Sequence, residues 1–416
     1  VKAASVLLPA LLLASAGFAG DLELHGHAKL QGSLRLFDDD DLGAAIAGTQ
    51  VEDATLDLRV NTVWRRSRWD MTANTQLLTV VGDSPGAAAG DPGSEARGFL
   101  SLVVPWSDPH QWLDLDSTFS STDSRLICAR FDRLSIGFTG DRFVARLGRQ
   151  ALSWGGGLVF QVFDLFNPFA PTAIDTDYKP GTDMLSSQLL LDSGGDVQAI
   201  VVPRRPAPGR GLAADASSAA IKWHQFAGPV EGELLGARHY DDTVIGAGAS
   251  GNLAGGVWRL NGTYTDLAGG GVTSLLANFS RAWVWGERNT NAFVEVFRNG
   301  FGVANLDRDL ATLPAPLLER VGRGELFNLG RNELAAGIEL EWTPLLAFEP
   351  TLLVNLDDHS SMLLLSTSFD WRQSLALDAG VQVGFGPHGT EYGGIPAGAL
   401  FASTGRLVWV RLSRYF

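Results

Sequence analysis

From residue 22 onward the chain alternates with a period of two. Leu22, Leu24, Gly26, Ala28, Leu30, Gly32, Leu34 and Leu36 fall on one face, and Glu23, His25, His27, Lys29, Gln31, Ser33 and Arg35 on the other. Successive side chains of a strand point to opposite sides, so this stretch predicts a strand that is apolar on one side and charged on the other. It is long for a strand of a soluble sandwich and suits a tilted strand that crosses hydrocarbon and continues beyond it. The pattern recurs at 56–64, 69–77, 334–342 and 375–385. In the 334–342 segment Glu333, Glu339 and Glu341 share one face. Burying them together in a dry core is prohibitive, and a wet lumen removes that cost.

Turn chemistry gives a second signal. Short connections are expected at 65–68, 139–141, 192–195, 227–229, 251–255, 286–290, 344–350 and 370–373. Longer ones are expected at about 37–50, 81–124, 151–182, 205–216, 300–331 and 386–399, with a few tight ones besides. Alternating short and long connections is the signature of a transmembrane antiparallel up-and-down β-barrel with short periplasmic turns. Eight short turns imply nine hairpins, so the expected all-β fold has about eighteen strands, between roughly 16 and 20. The margin comes mainly from 99–106 (FLSLVVPW), which reads as a further strand pair.

Composition narrows the class. The 416 residues include 49 Gly, 12 Trp and 22 Phe, yet after the first twenty residues no run of 18 apolar positions exists to make a spanning helix. A barrel hides its apolar content in alternation instead. Residues 1–19 read as a cleaved secretory signal, with Lys2, an apolar stretch from Ala3 to Leu13, and small residues before cleavage after Ala19 or Ala16. Removing them leaves 31 basic and 46 acidic residues, a charge of −15, and a single barrel over 20–416. Cys128 is the only cysteine, so an intrachain disulfide and Cys-ligated metal centres are excluded. An acidic chain with four lysines and no basic tail does not fit a nucleic-acid partner.

Aromatic residues gather beside the short turns: Trp64, Trp69, Trp283, Trp285, Trp342, Phe369 and Trp371. Amphipathic rings favour the membrane–water interface, so these predict a girdle. The chain ends at Phe416, preceded by Val408, Val410, Leu412 and Arg414 on one face and by Trp409 and Tyr415 on the other. This resembles the last strand of Gram-negative outer-membrane barrels, which ends in Phe and is read by the insertion machinery. Arg414 departs from the usual aromatic or apolar residue there. Gly148-Arg149-Gln150, Trp154-Gly155, Asp164-Leu165-Phe166-Asn167-Pro168-Phe169, Asp175 and Tyr178-Lys179-Pro180-Gly181 are similar to strings found in uncharacterised proteobacterial porin-like proteins. The resemblance implies an outer-membrane location, with membrane lipid and the insertion machinery as partners. A homo-oligomer is also compatible.

Candidate chemistry concentrates in 150–182. This connection is too long for a turn and too rich in Trp154, Phe160, Phe163, Phe166 and Phe169 for a solvated loop. The expectation is that it folds into the lumen, with Asp164, Asp175, Asp177 and Lys179 lining a constriction or with the loop acting as a plug. Arg59, Arg146 and Arg259 lie on strands whose opposite parity is apolar, so they face the lumen. There they either set a transverse field that sorts solutes or pair across strands to stiffen the wall. His25 and His27 share a face without an evident third ligand, and Asp38–Asp41 reads as a solvated outer loop more readily than as a calcium site. No phosphate loop, dinucleotide fingerprint or nucleophile elbow is present, and no cofactor is implied. The expected function is therefore a channel for small hydrophilic solutes. The alternative is a plugged barrel that serves as a scaffold for a periplasmic or surface partner.

Overall fold

The computed structural model describes residues 20–89 and 110–416. The expected signal segment and the 99–106 strand pair lie outside those residues. Eighteen antiparallel strands close a barrel. They run β1 (Asp21–Leu36), β2 (Gln50–Arg66) and β3 (Trp69–Gly82), then, after a short β4 (Asp116–Thr122), β5 (Arg125–Thr139) and β6 (Phe143–Gln150). The wall continues through β7 (Thr182–Leu190), β8 (Asp196–Val202), β9 (Ser218–Ala227), β10 (Val230–His239), β11 (Asp242–Leu253) and β12 (Gly256–Leu267). It is completed by β13 (Gly270–Trp285), β14 (Arg288–Arg298), β15 (Asn332–Thr343), β16 (Leu346–Asn355), β17 (Ser361–Arg372) and β18 (Leu375–Phe385). A small hairpin, β19 (Ile395–Ala397) and β20 (Leu400–Ala402), precedes the last wall strand, β21 (Arg406–Tyr415).

Closure is made by β21, which pairs antiparallel with β18 on one side and with β1 on the other, from His27 opposite Tyr415 to Leu36 opposite Arg406. β4 is an addition to the wall rather than a stave of it. It pairs with the Arg125–Arg130 half of β5, above the point where β6 takes over from Leu134.

Six of the eight short connections fall where turn chemistry placed them; the one expected at 344–350 is only the pair 344–345, because β16 already begins at Leu346, and the one expected at 370–373 lies at 373–374, because β17 runs on to Arg372. Two are two-residue turns with both residues at positive φ, Ala254–Gly255 and Gly286–Glu287. That geometry matches the twist of the strands it joins. At the opposite end lie the long connections. They carry α1 (Leu42–Ala47), α2 (Ser84–Ala89) and α3 (Ala315–Gly322).

The two faces of the wall differ as alternation requires. Leu24 and Leu30 on β1, Leu234 on β10, Ile245 on β11, Leu260 on β12, Val296 on β14 and Val410 on β21 are exposed on the outside. An apolar belt of this extent around a closed wall fits hydrocarbon. Trp69, Trp283, Trp285, Trp342 and Trp371 are exposed next to the short turns, and Phe416 is exposed at the end of β21. The inward parity carries Lys29, Arg59, Asn61, Lys222, Asn261, Asn278, Glu295 and Glu333, all buried. Something other than water covers them.

Candidate functional site

The cover is the connection between β6 and β7. Its backbone and side chains bond to inward-facing groups around almost the whole circumference. Trp154 Nε1 donates to Gln198 on β8 at 2.7 Å, and Gly156 N to Asn261 on β12 at 3.1 Å. Asn278 on β13 donates to the Gly156 carbonyl at 2.7 Å. The amides of Leu158, Val159 and Phe160 then converge on the Glu295 carboxylate of β14, at 2.7, 2.9 and 2.7 Å. Gly157 makes this turn possible, since a Cβ there would collide with the Phe160 carbonyl. Farther along, Gln382 on β18 donates to the Thr172 carbonyl at 2.9 Å. Lys29 on β1 grips Asp175 at 2.5 Å and Asp177 at 2.7 Å. Tyr415 on β21 donates to Asp177 at 3.0 Å, and Gly181 N returns to Asp132 on β5 at 3.2 Å. The segment therefore crosses the lumen from wall to wall.

Its two halves differ in chemistry. Trp154, Phe160, Val162, Phe163 and Phe166 are buried against inward apolar residues that include Met184, Ile200, Val244, Leu276, Phe297, Leu353 and Met362. Phe160 stacks on Phe297 with ring centroids 5.1 Å apart. This part is a dry core inside the barrel. The half from Ala173 to Asp177 instead faces a polar cavity of about 340 Å³ against β16, β17, β18 and β21. Asp177, Glu349, Asp378, Gln382, Trp409 and Arg411 are among the residues that line it.

The residues singled out from sequence separate accordingly. Asp175 and Asp177 stand at the wet side, where Lys29, Tyr415 and Arg411 hold the Asp177 carboxyl below the usual carboxylate range although burial works against its charge. Asp164 and Lys179 pair with each other inside the loop, and Lys179 also donates to the Leu152 carbonyl. Burial pushes the Asp164 carboxyl up and the Lys179 amine down, because both side chains are almost wholly removed from water. Arg59 is likewise away from any open passage. It donates to Asp132 at 2.6 Å and Asn61 at 2.8 Å, and its guanidinium lies 4.0 Å from the centre of the Tyr178 ring. Arg146 pairs with Asp70 at 2.9 Å on the neighbouring wall. Arg259 reaches Asn278 and Ser280 and lines a second cavity, of about 120 Å³, with Glu231 and Glu233. Inward parity was enough to place the three arginines in the lumen. It did not single out Glu295, Gln382, Arg411, Glu349 or Asp378, since which inward position meets the loop depends on where the loop goes.

A lid lies over the long-loop end. Residues 299–331 form their own apolar cluster around Leu306, Leu313, Leu317 and Leu329, joined by Ile395. Arg320 pairs with Asp242 at 2.5 Å. His239 links Ser218 Oγ, 3.0 Å from its Nδ1, to Glu325, 2.9 Å from its Nε2. This Ser–His–carboxylate order is that of a nucleophilic relay. Here the Ser218 hydroxyl is buried, accepts a 2.7 Å hydrogen bond from Arg204, and lines neither of the two cavities described. The relay fastens lid to wall. Asp38 pairs with Arg406, and Asp41 caps α1 through Gly43 N and accepts from Ser403, so the acidic run ties the first outer loop to the last. His27 is buried beside Asp57 at 3.4 Å, whereas His25 is exposed.

No protein-family model matches the chain, and no curated protein matches it in sequence. Solved structures do match in fold. The chain is similar to OccAB4 of Acinetobacter baumannii, with 10% identity, 95% of this chain and 98% of that one covered, and a TM-score of 0.53. It is similar to a BenF-like porin from Pseudomonas fluorescens Pf-5, at 10% identity, 96% and 100% coverage and a TM-score of 0.51. It is also similar to Wzi of Escherichia coli, an outer-membrane protein involved in group 1 capsule assembly and described as a carbohydrate-binding β-barrel. There the identity is 10%, the coverage 98% and 87%, and the TM-score 0.55. These likenesses are of fold alone: a closed antiparallel barrel, whose wall in this chain has eighteen strands.

Proposed function

We propose that this chain sits in a Gram-negative outer membrane and passes small hydrophilic solutes by diffusion, with residues 151–181 as the constriction. The observation that carries this reading is the polar cavity of about 340 Å³ left between that segment and the β16–β21 wall. A barrel of 16 to 18 strands leaves an aqueous channel unless loops fill it, and here the loop packs apolar side chains against strands from β7 to β17 while leaving a polar cavity against β16, β17, β18 and β21. The apolar belt supplies the lipid contact. The tryptophans beside the short turns serve as the periplasmic girdle. One fold neighbour is itself named a porin.

Proteoliposomes placed in isotonic sugars of increasing size test the proposal. Swelling in the smallest sugars with a sharp upper size limit is expected. A folded, heat-modifiable barrel that gives no swelling in any sugar would contradict it. One observation favours a second reading, a sealed scaffold: Phe160 and Phe163 are almost completely buried against the wall, so this part of the lumen is closed. On that reading swelling stays absent, and the barrel's work is done at its surfaces.

A further inference from the structure

The cavity beside Asp177 has an unbalanced charge. Two cations reach it: Lys29, which binds Asp175 and Asp177, and Arg411, which pairs with Asp378 at 3.1 Å and with Asp175 at 3.4 Å. Four carboxylates face them, those of Asp175, Asp177, Asp378 and Glu349. Two negative charges are left unmatched, and Glu349 is the one carboxylate of the four without an ion pair among the described residues. It points inward from β16 and is exposed within the lumen. The uncharged groups lean the same way. Gln382 spends its amide nitrogen on the Thr172 carbonyl, which leaves its oxygen free to accept. Thr351, Ser366 and Ser368 add hydroxyls along the same wall. A carboxylate only accepts hydrogen bonds, so the free capacity of the cavity calls for a ligand rich in donors and positively charged. Its volume falls within the roughly 300–1,000 Å³ typical of small-molecule sites.

We infer that this cavity is a binding site for a small hydroxylated ammonium ion of amino-sugar size, with Glu349 taking the ammonium group. The inference rests on the proposed solute-channel reading and names the class of solute favoured there. Entry of such a cation balances the excess negative charge, while a carboxylate solute adds to it.

Titration of the detergent-folded protein with glucosamine, glucose and gluconate, followed by calorimetry and by tryptophan fluorescence, separates the alternatives. The three probes match in size and differ in charge. Glucosamine is expected to bind about ten-fold more tightly than glucose, with gluconate showing no binding. Glu349→Gln should weaken the preference for the cation, and Glu349→Lys should abolish it. Heat-modifiable migration checks that both variants are folded barrels. Equal binding of all three probes, tighter gluconate binding, or an unchanged preference in folded Glu349→Gln overturns the inference. The titration needs no conduction. Cation binding in a barrel that gives no swelling supports the site and counts against the channel, whereas swelling without cation preference does the reverse.

Discussion

Glu295 carries more of the loop's position than any other single side chain. It is fully buried, and its charge is met by three backbone amides of the loop and by Asn278 at 2.9 Å. Hydrogen bonds to a charged group contribute about 1.5–3 kcal/mol each when measured singly. Glu295→Ala is therefore expected to weaken docking of 157–161 by roughly 2–4 kcal/mol and to make that segment exchange its amides faster. Unchanged hydrogen exchange there would show that the phenylalanine packing alone holds it. Arg59 and Asp132 offer a second test, because each side chain is 1% exposed. Asp132→Ala leaves a buried guanidinium with Arg130 and Arg133 beside it, and should cost about 3–5 kcal/mol in denaturant unfolding. Loss of less than about 1 kcal/mol, as at an exposed pair, would contradict this. The inward direction of Arg59 was legible from alternation with Leu58 and Val60. Its partner was not, because Asp132 lies at a register shift of β5 that no local pattern announces.

Among the elements, strands and short turns were readable and the long connections only in part. Period-two alternation and a pair of turn residues are local features, so the hairpins from β9 to β14 could be placed without knowing the rest. Lid and plug depend on contacts between loops far apart in sequence. Gly330 illustrates this. A Cβ there would strike Asn355, Glu333 and Glu391, three residues from separate segments. Glu391 accepts from Leu329 N at 2.7 Å, Gly330 N at 2.9 Å and Asn355 at 2.8 Å, and meets Glu333 in a contact that needs a shared proton. Burial pushes the Glu391 carboxyl above the ordinary carboxylate range, against the pull of those hydrogen bonds. With the folded value raised, its contribution is complete below the ordinary range and is lost as pH rises through the folded value. The 386–405 loop should therefore become more open to protease as pH increases from acid to alkaline, and Glu391→Gln should flatten that dependence. Greater opening toward acid would refute the assignment. The Glu325–His239 tie behaves oppositely. Burial opposes its charge, yet His239, Arg323 and Arg320 hold Glu325 below the ordinary range, so its contribution is lost as pH falls through that lowered value.

At the scale of the whole molecule, a closed sheet with an apolar exterior leaves its interior as the place where function is decided. The interior here is divided between a dry core of aromatic rings and a polar cavity beside Asp177. Strand count and closure were accessible from alternation and the eight short turns. The division of the lumen was not, because Phe160 and Asp177 belong to one connection and only its path across the barrel sends them to opposite walls. The proposed channel requires that this cavity open to both ends of the barrel. Planar-bilayer recording of the purified protein beside a variant lacking part of 155–170 tests it most directly. Discrete conductance steps are expected from the intact chain, with cation preference across a salt gradient and larger steps from the shortened one. Silence from the intact, demonstrably folded barrel, with steps seen only after the loop is cut, would mean that residues 151–181 seal the lumen and that the chain is not an open channel.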